Sequence, residues 1–161
     1  MTTTTTKTET TSKPKLPPNP FIHEILDLAS KQKTKAKKIE ILKEYENDAL
    51  KTIFVWNFDE TVISMIPEGQ VPYKENEVPV GTDHTSLRRE YKHLYNFVRG
   101  GNDGLSSLRR ETMFIQILEG LHPEEAKVLC LVKDKSLQSK YKITYDIVKE
   151  AFPDIQWGGR S

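Results

Sequence analysis

The pentapeptide SLRRE occurs at Ser86 to Glu90 and again at Ser107 to Glu111, so Arg88, Arg89, Arg109 and Arg110 come in two matched pairs. A guanidinium group is a planar fork of donors that fits a phosphate or a carboxylate. Each pair opens a helical pattern, where a cation opposes the positive end of the helix dipole. Neither helix supplies an acid three or four residues on: Arg88 and Arg89 meet Tyr91, Lys92 and His93, while Arg109 and Arg110 meet Thr112, Met113 and Phe114. The compensation must come from solvent, from another segment (a carboxylate such as Glu44 or Glu46), or from a bound anion. The functional expectation is one anion-gripping face of four arginines, joined by Lys92 and Arg99, for phosphate or an acidic partner surface. The lysines at 31, 33, 35, 37 and 38 (Lys31, Lys33, Lys35, Lys37, Lys38) read as a solvated helix or linker face that would extend a phosphate track beside such a patch. Tyr91, Tyr95, Phe97, Tyr141 and Tyr145 offer stacking surfaces, although helical spacing assigns Tyr91 and Tyr95 to the core.

Signals for catalysis are poor. His23, His84, His93 and His122 lack metal-ligand spacing, and His122 before Pro123 reads as a helix start. Asp59, Glu60 and Asp83 flank an irregular stretch and would make a carboxylate pair only if the fold brought them together. The segment GGNDG lacks the lysine and hydroxyl of a phosphate-binding P-loop and reads as a turn that ends a helix. Residues 107 to 135 have the outline of a helix-turn-helix, but Glu124 and Glu125 stand where the reading helix would meet phosphates, and the helix dipole accounts for them without a ligand. No catalytic residue, metal or cofactor is expected.

These residues need elements to hold them. At 161 residues one domain is the expectation, and 24 basic against 23 acidic residues (net charge +1) leave no global field, so any electrostatic binding is local. The single cysteine, Cys130, lies in the apolar run KVLCLV, which suits a buried thiol and excludes an intrachain disulfide. No apolar run approaches the roughly 18 residues of a membrane span, and the start of the chain lacks the apolar centre of a signal peptide. Residues 1–18, rich in Thr, Lys and Pro, read as a disordered tail. From 19 to 157 the pattern is a mainly α bundle of about six helices. They are a first helix capped by Asn19, one long helix over 35–57, one from Leu87 to Val98, two more from residue 107 and from Pro123, and a short one capped by Thr144. Between them, 59–84 is an irregular loop punctuated by Pro67, Gly69, Pro72, Pro79 and Gly81, and a loop of that length is a natural interaction surface.

The phrases LYNFVRGGND, SLRRETMFIQILEGLHPEEAKVL, VKDKSL, YKIT and IVKEAFPD, between Leu87 and Asp154, resemble an uncharacterised family of small proteins from large tailed bacteriophages, including those that infect cyanobacteria. The resemblance implies a viral protein made in a bacterial host cytoplasm, with an accessory role in replication, host takeover or particle assembly. With the arginine face it suggests a non-enzymatic helical binding module for nucleic acid or for an acidic protein of the replication or transcription machinery. A minor virion or assembly protein is the structural alternative, and an enzyme using the central-loop carboxylates comes third.

Overall fold

The computed structural model describes residues 16–77 and 84–160. The periodic segment 35–57 forms two helices instead of one, and Asn47 is the reason. Its side-chain oxygen accepts from the Leu50 amide, starting the second helix, while its Nδ2 donates to the Tyr45 carbonyl at the end of the first. A local side-chain bond of this kind competes with continued helix. The α-helices are α1 (Ile22–Ser30), α2 (Lys35–Glu44), α3 (Asp48–Phe58), α4 (Leu87–Glu90), α5 (Ser107–Gly120), α6 (Pro123–Lys133) and α7 (Tyr145–Ala151). The protein is therefore mainly α, with seven helices and no strand among the described residues.

The helix expected from Leu87 to Val98 is also altered: α4 is a single turn that continues as a 3-10 segment, Tyr91–Phe97. Its carbonyls are drawn outward, because His93 O accepts from Asn96 Nδ2, Asn96 O from Arg110 and Phe97 O from the Met65 amide. At the following turn Gly100 has φ +89°, and a side chain on Gly101 would lie 1.9 Å from the Tyr95 carbonyl oxygen, so the pair provides both a left-handed residue and a close backbone approach.

Helix α3 is central: it packs against α4, the 3-10 segment and α6, with Leu50, Ile53 and Phe54 fully buried. Helix α1 packs on α2 and α6, α2 on α7, and α5 on α6 and the 3-10 segment. Cys130 is half-buried beside the core, and burial pushes its thiol pKa up, as expected of an unreactive cysteine.

The described part of the central loop is stitched down. Val62 and Ile66 are buried, and Ser64 forms an isolated antiparallel bridge with Val98. The Lys133 ammonium, completely buried, donates to the carbonyls of Pro67 and Gly69 and to the Asp134 carboxylate. Lys135 donates to the carbonyls of Trp56 and Asp59 at the end of α3. Both lysines thus hold the loop and the neighbouring helix end, beyond the complement to their own helix that their positions suggest. Leu16, in the stretch read as tail, packs against the core and its amide donates to the Tyr45 hydroxyl. Residues 1–15 of the tail, and Asp83, lie outside the described residues.

Candidate functional site

The four arginines of the SLRRE copies do not form one face. Arg110, at 3% exposure, is an internal clasp: its Nε donates to Asn96 O and its Nη2 to Asn102 O and Leu105 O. The compensation for a cation in the first turn of α5 is thus another segment, through three carbonyl dipoles, and neither Glu44 nor Glu46 is involved; Glu46 pairs with Lys51. Arg88 is half-buried, with its Nε on the Pro20 carbonyl. Arg89, Lys92, Arg99 and Arg109 are exposed.

The lysine track is largely committed within the molecule. Lys31 pairs with Asp27 at 3.0 Å, Lys35 with Glu150 at 2.8 Å, and Lys38 donates to the Lys142 carbonyl at 2.6 Å, while Lys33 and Lys37 are exposed. The central-loop carboxylates are equally distinct. Asp59 is buried, accepting from the amide and hydroxyl of Thr61, from the Gly158 amide and from Arg160 Nη1 at 2.8 Å. Burial works to raise its pKa, but these hydrogen bonds outweigh that and pull it down to about 2. The Asp59 carboxylate ties the C-terminal segment to the end of α3, while Glu60 is exposed.

One exposed cation over an aromatic ring, Lys92, lies on the 3-10 segment beside an apolar groove. A cavity of about 200 Å³ runs between α3 and that segment, with Val55, Trp56 and Val62 as its floor, Tyr91, Leu94, Tyr95 and Val98 as one wall, and Lys92 and Arg160 on its rim. Tyr95 is 52% exposed, in contrast to the core placement that its spacing suggested. The 3-10 geometry, three residues per turn instead of 3.6, rotates it off the buried stripe. The Lys92 ammonium lies 6.0 Å from the Tyr91 ring centroid, and Arg89, three residues earlier, shares its side of the helical stretch. Arg99 follows the groove residue Val98 directly. A second hollow of about 440 Å³ shares Thr52, Val55 and Arg160 with the first, so the depression continues along α3 towards Asp154.

Comparison with known families places this geometry. The model of the family of unknown function DUF6433 matches residues 25–139, most of the chain. The chain belongs to that family. No curated protein and no solved structure matches it. The DUF6433 region contains both SLRRE copies, the 3-10 segment and the whole floor and wall of the groove, whereas Arg160 and the segment that Asp59 anchors follow it.

Two further constellations in this DUF6433 protein join residues far apart in the chain. Glu125, fully buried in the first turn of α6, accepts from the Ile22 amide at 2.7 Å and the Leu87 amide at 2.9 Å, so one carboxylate caps α1 and α4 from within a third helix. Burial raises its pKa, and these two bonds and the nearby Arg88 oppose that rise. Its burial also removes it from any surface that could read DNA. Beside it, three of the four histidines meet: His122 lies 4.8 Å from His23 and 5.6 Å from His84 between ring centroids, with Phe21 5.0 Å from His122. His122 Nδ1 accepts the Glu124 amide, and burial followed by neighbouring histidines lowers the pKa of both His23 and His122. No metal-holding group of His, Cys, Asp or Glu occurs among the described residues, and no helix there is long and apolar enough to cross a membrane. Sequence spacing holds no signal for either constellation, since their members come from three separate elements.

Proposed function

We propose that the protein is a non-enzymatic binding module for single-stranded nucleic acid, with the groove between α3 and the 3-10 segment as its site. The observation that carries this reading is the half-exposed Tyr95 on the wall of an apolar groove whose rim bears Lys92. A base presents a flat apolar face to a tyrosine ring, and its phosphates need cations a few ångströms away. Lys92 and Arg89 supply them, in place of the four-arginine face, while Arg99, next to Val98 in extended backbone, leaves on the opposite side. Arg160 is held by Asp59 and shapes the rim more than it adds charge. The resemblance to proteins of large tailed phages supports a reading in which such a module acts in an infected bacterial cytoplasm, in an accessory role in replication or transcription.

The test is a titration with an oligothymidylate at several salt concentrations. Two engaged cations give a slope of about −1.4 in log affinity against log salt for a single strand. Tyr95→Ala is expected to weaken binding about tenfold, given roughly 1–3 kcal/mol per stacked base, and Lys92→Gln to lower the slope. Lys33→Gln, away from the groove, should leave both unchanged. Oligonucleotide binding that ignores Tyr95→Ala and Lys92→Gln, or its absence at low salt, overturns the proposal; capture of an acidic protein instead by the same groove points to that partner class.

A further inference from the structure

Phe58, at the end of α3, Tyr145, at the start of α7, and Trp157, in the C-terminal segment, meet at a cleft of about 430 Å³ that none of the preceding roles uses. The Tyr145 and Trp157 rings stand nearly perpendicular, 5.0 Å between centroids at 83°, and Phe58 closes a third side, 6.4 Å from Tyr145 and tilted 38°. Asp59 holds this corner together by accepting the Gly158 amide, next to Trp157. Its charge is balanced by Arg160, which leaves the exposed carboxylate of Glu60 as the unpaired charge in the lining, with the Lys149 ammonium on the Tyr145 ring at its edge.

We infer that this cleft is a binding site for an alkylated ammonium cation. Two perpendicular rings with a third beside them make a corner, not a slot: a flat base would find no parallel pair to enter, whereas a compact cation meets several ring faces or edges at once. The negative face of an aromatic ring attracts such a cation, and methylation makes it cheap to remove from water. Glu60 at the mouth favours a positive ligand and opposes a phosphate. The same ring chemistry already operates on one of the three rings, since the Lys149 ammonium lies 5.0 Å from the Tyr145 centroid, and a ligand cation competes with it for that ring. Two sources carry this head group, a free quaternary ammonium compound and a trimethylated lysine side chain, and they are distinguished by what surrounds the cation.

The experiment is a calorimetric or NMR titration of the full chain with tetramethylammonium, choline and a short trimethyllysine peptide, with tert-butanol as the neutral isostere of the same shape. Saturable binding of tetramethylammonium is expected, at least about tenfold tighter than any binding of tert-butanol. Trp157→Leu should abolish it. Glu60→Gln, an exposed change that leaves the fold intact, should weaken it about threefold by removing one screened charge. A peptide that binds about tenfold tighter than choline identifies a protein side chain as the source, and equal affinity identifies the free cation. Equal binding of tert-butanol, displacement of tetramethylammonium by adenosine monophosphate, or binding indifferent to both Glu60→Gln and Trp157→Leu overturns the inference. Because these residues are outside the Tyr95 groove, oligothymidylate binding is expected to be unchanged in Glu60→Gln, so the two sites fail independently.

Discussion

The two SLRRE copies have the same five residues and opposite orientations. In the first, Leu87 is 0% exposed and its amide is held by Glu125, while Ser86 makes no side-chain cap, Arg88 reaches Pro20, and Glu90 accepts from the Thr85 hydroxyl. In the second, Leu108 is 78% exposed and Arg110 is buried, with Ser106, the residue before the repeat, capping the helix through the Arg109 amide. The helix is therefore rotated so that the second position of the repeat faces inward in one copy and the fourth in the other. The first copy runs for one turn before its backbone is diverted, whereas the second opens a helix of 14 residues. What a pentapeptide buries is decided by what it packs against.

The largest expected effect separates the arginines. Arg110→Gln removes a three-bond clasp and leaves carbonyls of Asn96, Asn102 and Leu105 short of a donor, at a cost of about 3 kcal/mol or more in chemical denaturation. The same change at Arg89, the fourth residue of the first copy, should stay within about 0.5 kcal/mol. Arg110→Lys should rescue little, since an ammonium cannot reproduce the fork. A neutral Arg110→Gln would mean that the clasp contributes nothing.

The leucines invert the order. Leu87→Ala should cost about 3 kcal/mol as a fully buried truncation, and Leu108→Ala within about 0.5 kcal/mol as a surface change. Equal effects would show that the copies are equivalent in solution.

The first copy should respond to pH more than the second, because two histidines and the Glu125 carboxylate surround the first, whereas the second rests on backbone carbonyls held by Arg110. His23 and His122, beside the first copy, have folded pKa values below the ordinary histidine value. Their contribution to stability is full above about 6.5 and is lost as pH falls through the lowered folded values. Glu125, with a raised pKa, has the opposite sign, its contribution being lost as pH rises through its folded value. The histidine share is isolated by His23→Phe, which between pH 7.5 and 5.5 should lose less melting temperature, or gain more, than the parent protein. Hydrogen exchange at the Ile22 and Leu87 amides should rise before exchange at the Arg110 amide; simultaneous loss would merge the two regions into one cooperative unit.

The smallest effect on stability, and the sharpest on binding, compares the exposed arginines. Arg89→Gln and Arg109→Gln should each leave stability within about 0.5 kcal/mol. Arg89→Gln should weaken oligothymidylate binding more, because Arg89 shares its side with Lys92; equal losses would extend the site across α5.

Much of the fold was legible. The cap at Thr144, the place of Pro123 in the first turn of its helix, the helix over 107–120 and the inward positions Ile147, Val148, Ala151 and Phe152 follow from local hydrogen bonding and periodicity. The split at Asn47 was written in the sequence as well, since asparagine before Asp48 and Ala49 is a helix start, but the apolar spacing across it imitates a continuous helix. The candidate sites were legible only in composition. Arginine, lysine and tyrosine mark a surface able to bind, yet which guanidinium is free depends on the carbonyls of a distant segment.

The sequence by itself determined the mainly α class, several helix starts and most of the core, because capping and amphipathic spacing act over three or four residues; the first helix, expected to be capped by Asn19, starts instead after Phe21. Only the tertiary structure decided that Arg110 is a staple while Arg89 is exposed, that Tyr95 leaves the core, that Glu125 caps two other helices, and that Phe58, Tyr145 and Trp157 form a corner. Each of these depends on where backbone groups and rings from remote segments arrive, and a buried polar group is stable only when such partners are in place.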